Sequence, residues 1–108
     1  MTRRPELSFQ RTKRSIVSAV HEKHGRIDVL FVNAGMAKLA PVESTSEELF
    51  DEIMGTNFRG AYFTVQKALR FFSDGGAIIF TTSYFTREGI AGTSTVSASK
   101  AALRSLTR

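Results

Sequence analysis

The sequence predicts an α/β fold with parallel strands, on three observations. Two short apolar runs rich in β-forming residues stand at 28–32 and 77–80. A long stretch of helical periodicity separates them, and further helical patterns flank the pair. Strands joined by a crossover helix run parallel, as a βαβ unit that is right-handed in nearly all proteins. The two runs do not alternate between apolar and polar residues. Such continuity predicts strands buried on both faces.

The elements are expected in the order helix, strand, helix, strand, helix. Over 11–24, Ile16, Val17 and Val20 fall at helical spacing, and Gly25 supplies a stop. The first strand, Asp-Val-Leu-Phe-Val at 28–32, ends at the turn Asn33-Ala34-Gly35. A long helical region follows. Thr45 with Glu48 three residues later reads as a capping box, and Glu47 and Glu48 place negative charge at the positive helix end. Leu49, Phe50, Ile53 and Met54 start an apolar stripe that Phe58, Ala61, Tyr62 and Val65 continue, with Gly55 and Gly60 as points of bending or close packing. This region ends near Phe72, before the turn signal Ser73-Asp74-Gly75-Gly76. The second strand begins at Ala77 and leads through Thr81 and Thr82 to Ser83. A loop over 84–93 and a helix over 97–107 complete the chain, with Ala98, Ala101, Ala102, Leu103 and Leu106 on the apolar face of that helix.

Composition bounds the function. The chain has 108 residues, with 42% hydrophobic and 23% charged, which suits one small globular domain. It has no cysteine, so disulfide frameworks and thiolate metal sites are excluded. The net charge of +5 is concentrated in residues 1–14, where five bases face the single acid Glu6. The remaining residues carry ten bases and nine acids. We read 1–14 as a basic, solvated tail and 15–108 as the folded domain. Such a tail can also hold nucleic acid or an anionic membrane, and its Arg-rich, acid-poor character is shared with organellar presequences. Pro5 and weak amphipathicity count against a presequence. No apolar run approaches the roughly 20 residues of a membrane span. The expectation is a cytoplasmic protein without nucleic-acid or membrane partners.

Several segments together resemble one family. Residues 25–35, Gly-Arg-Ile-Asp-Val-Leu-Phe-Val-Asn-Ala-Gly, are similar to the fourth strand and Asn-Asn-Ala-Gly turn of the short-chain dehydrogenase/reductase family, with Val32 where the first Asn of that turn usually stands. Thr56-Asn57-Phe58-Arg59-Gly60 resembles the family's helical segment bearing a catalytic Asn. Residues 76–83 resemble its fifth strand, ending in the catalytic Ser. Ser97-Ala98-Ser99-Lys100-Ala101-Ala102 resembles the segment with the catalytic Lys. The resemblance covers about residues 11–108, in the family's order and spacing. It implies a partial Rossmann-like parallel sheet with flanking helices, the central segment of a doubly wound fold. It also implies NAD or NADP as cofactor and an alcohol or carbonyl substrate.

Carried over residue by residue, the resemblance makes Asn57, Ser83 and Lys100 the catalytic matches. Asn33, Ala34, Gly35 and Lys100 become the cofactor-side matches. In the family the Ser hydroxyl bonds the substrate oxygen and a Tyr phenol exchanges the proton. The Lys lowers the phenol pKa and holds the nicotinamide ribose, and the Asn helps position a water linking Lys to solvent. The Tyr stands four residues before the Lys and thirteen after the Ser. Both counts land on Val96. Valine has no proton to give. Tyr84 follows Ser83 but points to the opposite face of an extended segment, and the hydroxyls of Thr95 and Ser97 hold their protons too tightly to replace a phenol.

The family's Gly-rich phosphate turn is also lacking, since no GxxxGxG or GxGxxG occurs and Gly75-Gly76 precedes a strand instead of following one. The chain is therefore expected to be a form truncated at both ends, inactive alone and unable to bind the cofactor with useful affinity. An alternative is a non-catalytic interaction module. The helical region around Asn57 and the helix after Lys100 match the elements that usually build the family's oligomer interface, so self-association or pairing with a homologous subunit is expected. His21 and His24, one turn apart, have no third ligand downstream, and no metal site is expected. Substrate, cofactor preference and reaction direction are not legible.

Overall fold

The computed structural model describes residues 16–83 and 89–107. Within them the chain runs α1 (helical over 16–24), β1 (Ile27–Val32), a single 3₁₀ turn (Val42–Ser44), α2 (Glu47–Met54), a π-helical turn (Gly55–Arg59), α3 (Gly60–Leu69), β2 (Phe72–Phe80) and α4 (Ser94–Ser105). The strands pair in parallel as a two-stranded sheet, which bears out the α/β reading. Part of the helix expected over 11–24, the loop residues 84–88 with Tyr84, and the 1–14 tail lie outside the described residues.

The sheet register explains one displaced boundary. Val29 to Val32 pair in step with Ala77 to Phe80, and Ile27 pairs with Phe72. Residues 73–76 therefore bulge opposite the single residue Asp28. The turn expected there exists, but inside a longer strand. Gly75 takes a φ of +79°, open to glycine at little cost. The Ser73 hydroxyl donates to Asp28 Oδ1 at 2.6 Å and ties the bulge to β1.

The long helical region divides into three pieces. Its N-cap is Ser46, whose Oγ accepts from the Leu49 amide at 3.1 Å. The capping box expected on Thr45 does not form: the N-cap lies one residue later, with Leu49 at the third helical position, and the Thr45 hydroxyl donates to the Pro41 carbonyl at 2.8 Å. Glu47 and Glu48 do occupy the first turn. Between α2 and α3 the hydrogen-bond step widens, with the Gly60 amide donating to the Gly55 carbonyl. The two glycines frame this π turn, which bulges the helix where Asn57 sits. The last helix begins at Ser94, three residues before the expected 97.

One face of the sheet is packed. Val32, Ala61 and Leu103 are buried together, with Leu30, Ile78, Phe80, Val65 and Leu106 against them. Val17, Ile27 and Ala68 form a second cluster beneath α1, where His21 stacks on Phe71 with ring centroids 4.1 Å apart. The other face is open. Val29 is 60% exposed, Phe31 59% and Ile79 50%. The expected double burial fails on this face for a physical reason. The described helices pack on the strands around Leu30, Val32, Ile78 and Phe80, and at the start of the sheet on Ile27 and Phe72, and leave Val29, Phe31 and Ile79 uncovered. Among the described residues, no helix is long and apolar enough to cross a membrane.

Candidate active site

Four elements converge at the carboxyl end of the strands: the turn after β1, the π turn, the residues after β2, and α4. The helix α4 presents one buried face, because Val96, Ser99, Lys100 and Leu103 recur at the i, i+3, i+4, i+7 spacing. Val96 is 3% exposed and Lys100 7%, while Ser99 and Asn57 are fully buried.

Asn57 is the knot of the site. Its Oδ1 accepts from the Met36 amide at 2.8 Å, and its Nδ2 donates to the Met36 carbonyl at 2.9 Å and to Ser99 Oγ at 3.0 Å. The pairing fixes the amide orientation, since a backbone N–H can only donate and a carbonyl only accept. Ser99 Oγ donates in turn to the Val96 carbonyl at 2.7 Å. Both protons of the Asn57 carboxamide are committed, so the side chain joins the β1 turn to α4 across the π turn.

Lys100 reaches back over this knot. Its Nζ donates to the Thr81 carbonyl at 3.1 Å. Burial pushes the Lys100 pKa below the ordinary lysine range, because the charged form loses water. The close approach depends on Gly35. A Cβ on Gly35 would stand 2.9 Å from Lys100 Nζ and 3.3 Å from Asn57 Oδ1. Thr81 ties the remaining side of the site together. Its amide donates to the Val32 carbonyl at 3.0 Å and its hydroxyl to Asn33 Oδ1 at 2.7 Å.

The structure therefore brings Gly35, Asn57 and Lys100 into contact, and joins Asn33 to the same cluster through Thr81. Ala34 stands exposed on the turn between Asn33 and Gly35. Ser83 is half-buried, two residues beyond Thr81. Three participants escaped the sequence reading: Met36, Thr81 and Ser99. Met36 and the Thr81 carbonyl act through backbone, which leaves no residue signal. Ser99 did leave one. A serine on the apolar stripe of a helix, one turn after Val96 and one before Leu103, needs a buried partner.

A family model described as short chain dehydrogenase matches residues 5–108. The chain belongs to that family. A short-chain dehydrogenase/reductase, FrzI, from a Cladobotryum species is 40% identical over 93 residues, covering 86% of this chain and 36% of the relative. Among solved structures, a dehydrogenase/reductase from Sinorhizobium meliloti superposes with a TM-score of 0.85 at 36% identity, over 90% of this chain and 39% of that one. A short chain dehydrogenase from Burkholderia cenocepacia, solved in complex with NADP, gives 0.84 at 33% identity, over 91% and 40%. The chain thus spans well under half the length of these short chain dehydrogenases. Within that span it has their fold.

For NAD or NADP the residues present fit in part. The turn 33–35 is exposed, with no side chain at Gly35, and the Thr81 carbonyl accepts one of the three Lys100 ammonium protons. Nothing in the sequence supplies the glycine-rich turn that meets a pyrophosphate.

Proposed function

We propose that the chain is a segment of an NAD(P)-dependent short chain dehydrogenase, a family enzyme class that moves hydride between a nicotinamide and an alcohol or carbonyl, and that this 108-residue chain does not turn over by itself. Asn57, Ser83 and Lys100 are the counterparts of the catalytic residues, and Asn33, Ala34, Gly35 and Lys100 those of the cofactor side. A cytoplasmic location belongs to the same reading.

One observation carries the proposal: a buried valine stands at 96, one turn before Lys100 on the same face of α4. When bound, the nicotinamide group accepts or supplies the hydride. The chain's own residues must then handle the proton. Oxidation of an alcohol releases its hydroxyl proton as hydride leaves the carbon, and reduction of a carbonyl consumes one. In this reading Ser83 bonds the substrate oxygen, and Lys100 is the residue that would stabilise a neighbouring phenolate. Val96 has no atom that can take or give the proton. Loss of a positioned acid/base costs about 10²–10⁴ in rate, and Lys100 is left with no phenol to tune.

The test is direct. Purified chain is mixed with NAD or NADP and a panel of alcohols, and with the reduced cofactors and carbonyl compounds. No change in reduced-nicotinamide absorbance above the blank is expected. Substantial cofactor reduction or oxidation would contradict the proposal.

A second reading draws support from Phe50, Tyr62 and Leu69, which are exposed apolar residues on α2 and α3. It takes the chain as an interaction module that pairs with an intact subunit of the family. A defined hetero-oligomer with a full-length short chain dehydrogenase, seen by light scattering after gel filtration, would favour it. Independent elution of the two proteins would remove it.

A further inference from the structure

We propose that Ser99 is a positioning residue for Lys100: through Asn57 it locks α4 to the turn after β1, and so seats the Lys100 ammonium between Gly35 and the Thr81 carbonyl. The inference concerns how the lysine is held and needs no turnover by the chain.

The hydroxyl of Ser99 has no packing reason to be where it is. It is fully buried on the stripe that Val96 and Leu103 share. An alanine there would be the better helix former and would bury no polar atom. A hydroxyl in such a place is tolerated only when bonded, and Ser99 uses its oxygen twice. It donates to the Val96 carbonyl at 2.7 Å, within its own helix, and accepts from Asn57 Nδ2 at 3.0 Å, from another element. The second bond is the one that carries information about position. Asn57 in turn holds both the amide and the carbonyl of Met36, at 2.8 and 2.9 Å. Helix α4 is thereby pinned to the turn that contains Gly35.

The pin acts on the neighbouring residue. Successive residues on a helix are fixed relative to one another, so anchoring Ser99 about the helix axis also sets the direction in which Lys100 leaves it. Lysine has many accessible rotamers and does not hold one conformation without walls. The walls here are Gly35, whose added Cβ would lie 2.9 Å from Nζ, and the Thr81 carbonyl at 3.1 Å. If α4 turned or slid, Nζ would lose the carbonyl and regain water.

The experiment reads Lys100 itself. In the 108-residue chain, lysine side chains are followed by NMR through a pH titration, in the parent and in Ser99→Ala. The amide spectrum reports whether each is folded. In folded Ser99→Ala, the Lys100 midpoint should rise toward the ordinary lysine range as water reaches the ammonium. A serine that only adds stability would lower the melting temperature and leave the Lys100 curve in place; that result overturns the proposal. If Ser99→Ala does not fold, the parent still decides. The Asn57 carboxamide protons should exchange at least roughly tenfold more slowly than those of exposed Asn33, the scale of one hydrogen bond. Equal exchange would overturn the proposal. Cofactor turnover enters neither measurement, so an inactive chain and a misassigned Ser99 give different results.

Discussion

Lys100 is buried with an ammonium that burial makes harder to keep charged, and this has a consequence for stability. The folded pKa lies below the ordinary value of about 10.5 that the unfolded chain retains. Between those two values the unfolded state binds more protons than the folded one, so stability must rise with pH across that window. At neutral pH both states are charged and the folded state carries the full desolvation cost. Urea unfolding followed at increasing alkaline pH should therefore show a rising contribution that Lys100→Met removes. A pH profile identical in parent and Lys100→Met would contradict the burial of this group. At this scale the sequence disclosed the chemistry-bearing residues but not their seats. Asn57 and Lys100 were legible because their types and spacing match a motif. Met36 and the Thr81 carbonyl were not, because any residue supplies a backbone carbonyl. Gly35 was read as part of a cofactor turn, whereas the nearness of Lys100 Nζ gives it an additional reason to lack a side chain.

The elements show where local signals mislead. Thr45 and Glu48 have the right spacing for a capping box, yet Ser46 caps α2. Two adjacent hydroxyl residues compete for one task, and the Pro41 carbonyl captures Thr45. Ser46→Ala should cost about 1 kcal/mol in urea unfolding, within the range for lost N-caps, and Thr45→Ala distinctly less. The reverse order would restore the capping box. The π turn was foreshadowed by Gly55 and Gly60 but not specified, since an i→i+5 step leaves no periodicity of its own over five residues. It matters because it carries Asn57 into the interior. Residues 73–76 were correctly seen as a turn, but were set before the second strand when they lie inside it. A bulge and a loop use the same glycines, and only the pairing of Ile27 with Phe72 separates them.

At the scale of the whole molecule, the described residues give the sheet one helical layer and leave Val29, Phe31 and Ile79 exposed on its other face. The apolar runs were read as doubly buried because they do not alternate between apolar and polar residues, and the chain spans only 36–40% of the relatives it matches. The residues record an environment that this chain does not itself provide. Exposed Val29, Phe31 and Ile79, beside open strand edges, favour association. Sedimentation velocity should show concentration-dependent assembly that Phe31→Lys weakens. A monomer that persists at high concentration would contradict this.

Under the proposed function, Val96 leaves this segment without its acid/base. The measurement that isolates it is a chimera in which residues 16–107 replace the matching segment of the Sinorhizobium meliloti dehydrogenase/reductase, made with and without Val96→Tyr. The relative then supplies the rest of the fold to both, and only the proton-transfer group differs. The account predicts that the unsubstituted chimera binds nicotinamide cofactor but turns over at least about 100-fold more slowly than the Val96→Tyr chimera. Equal turnover by the two would contradict it.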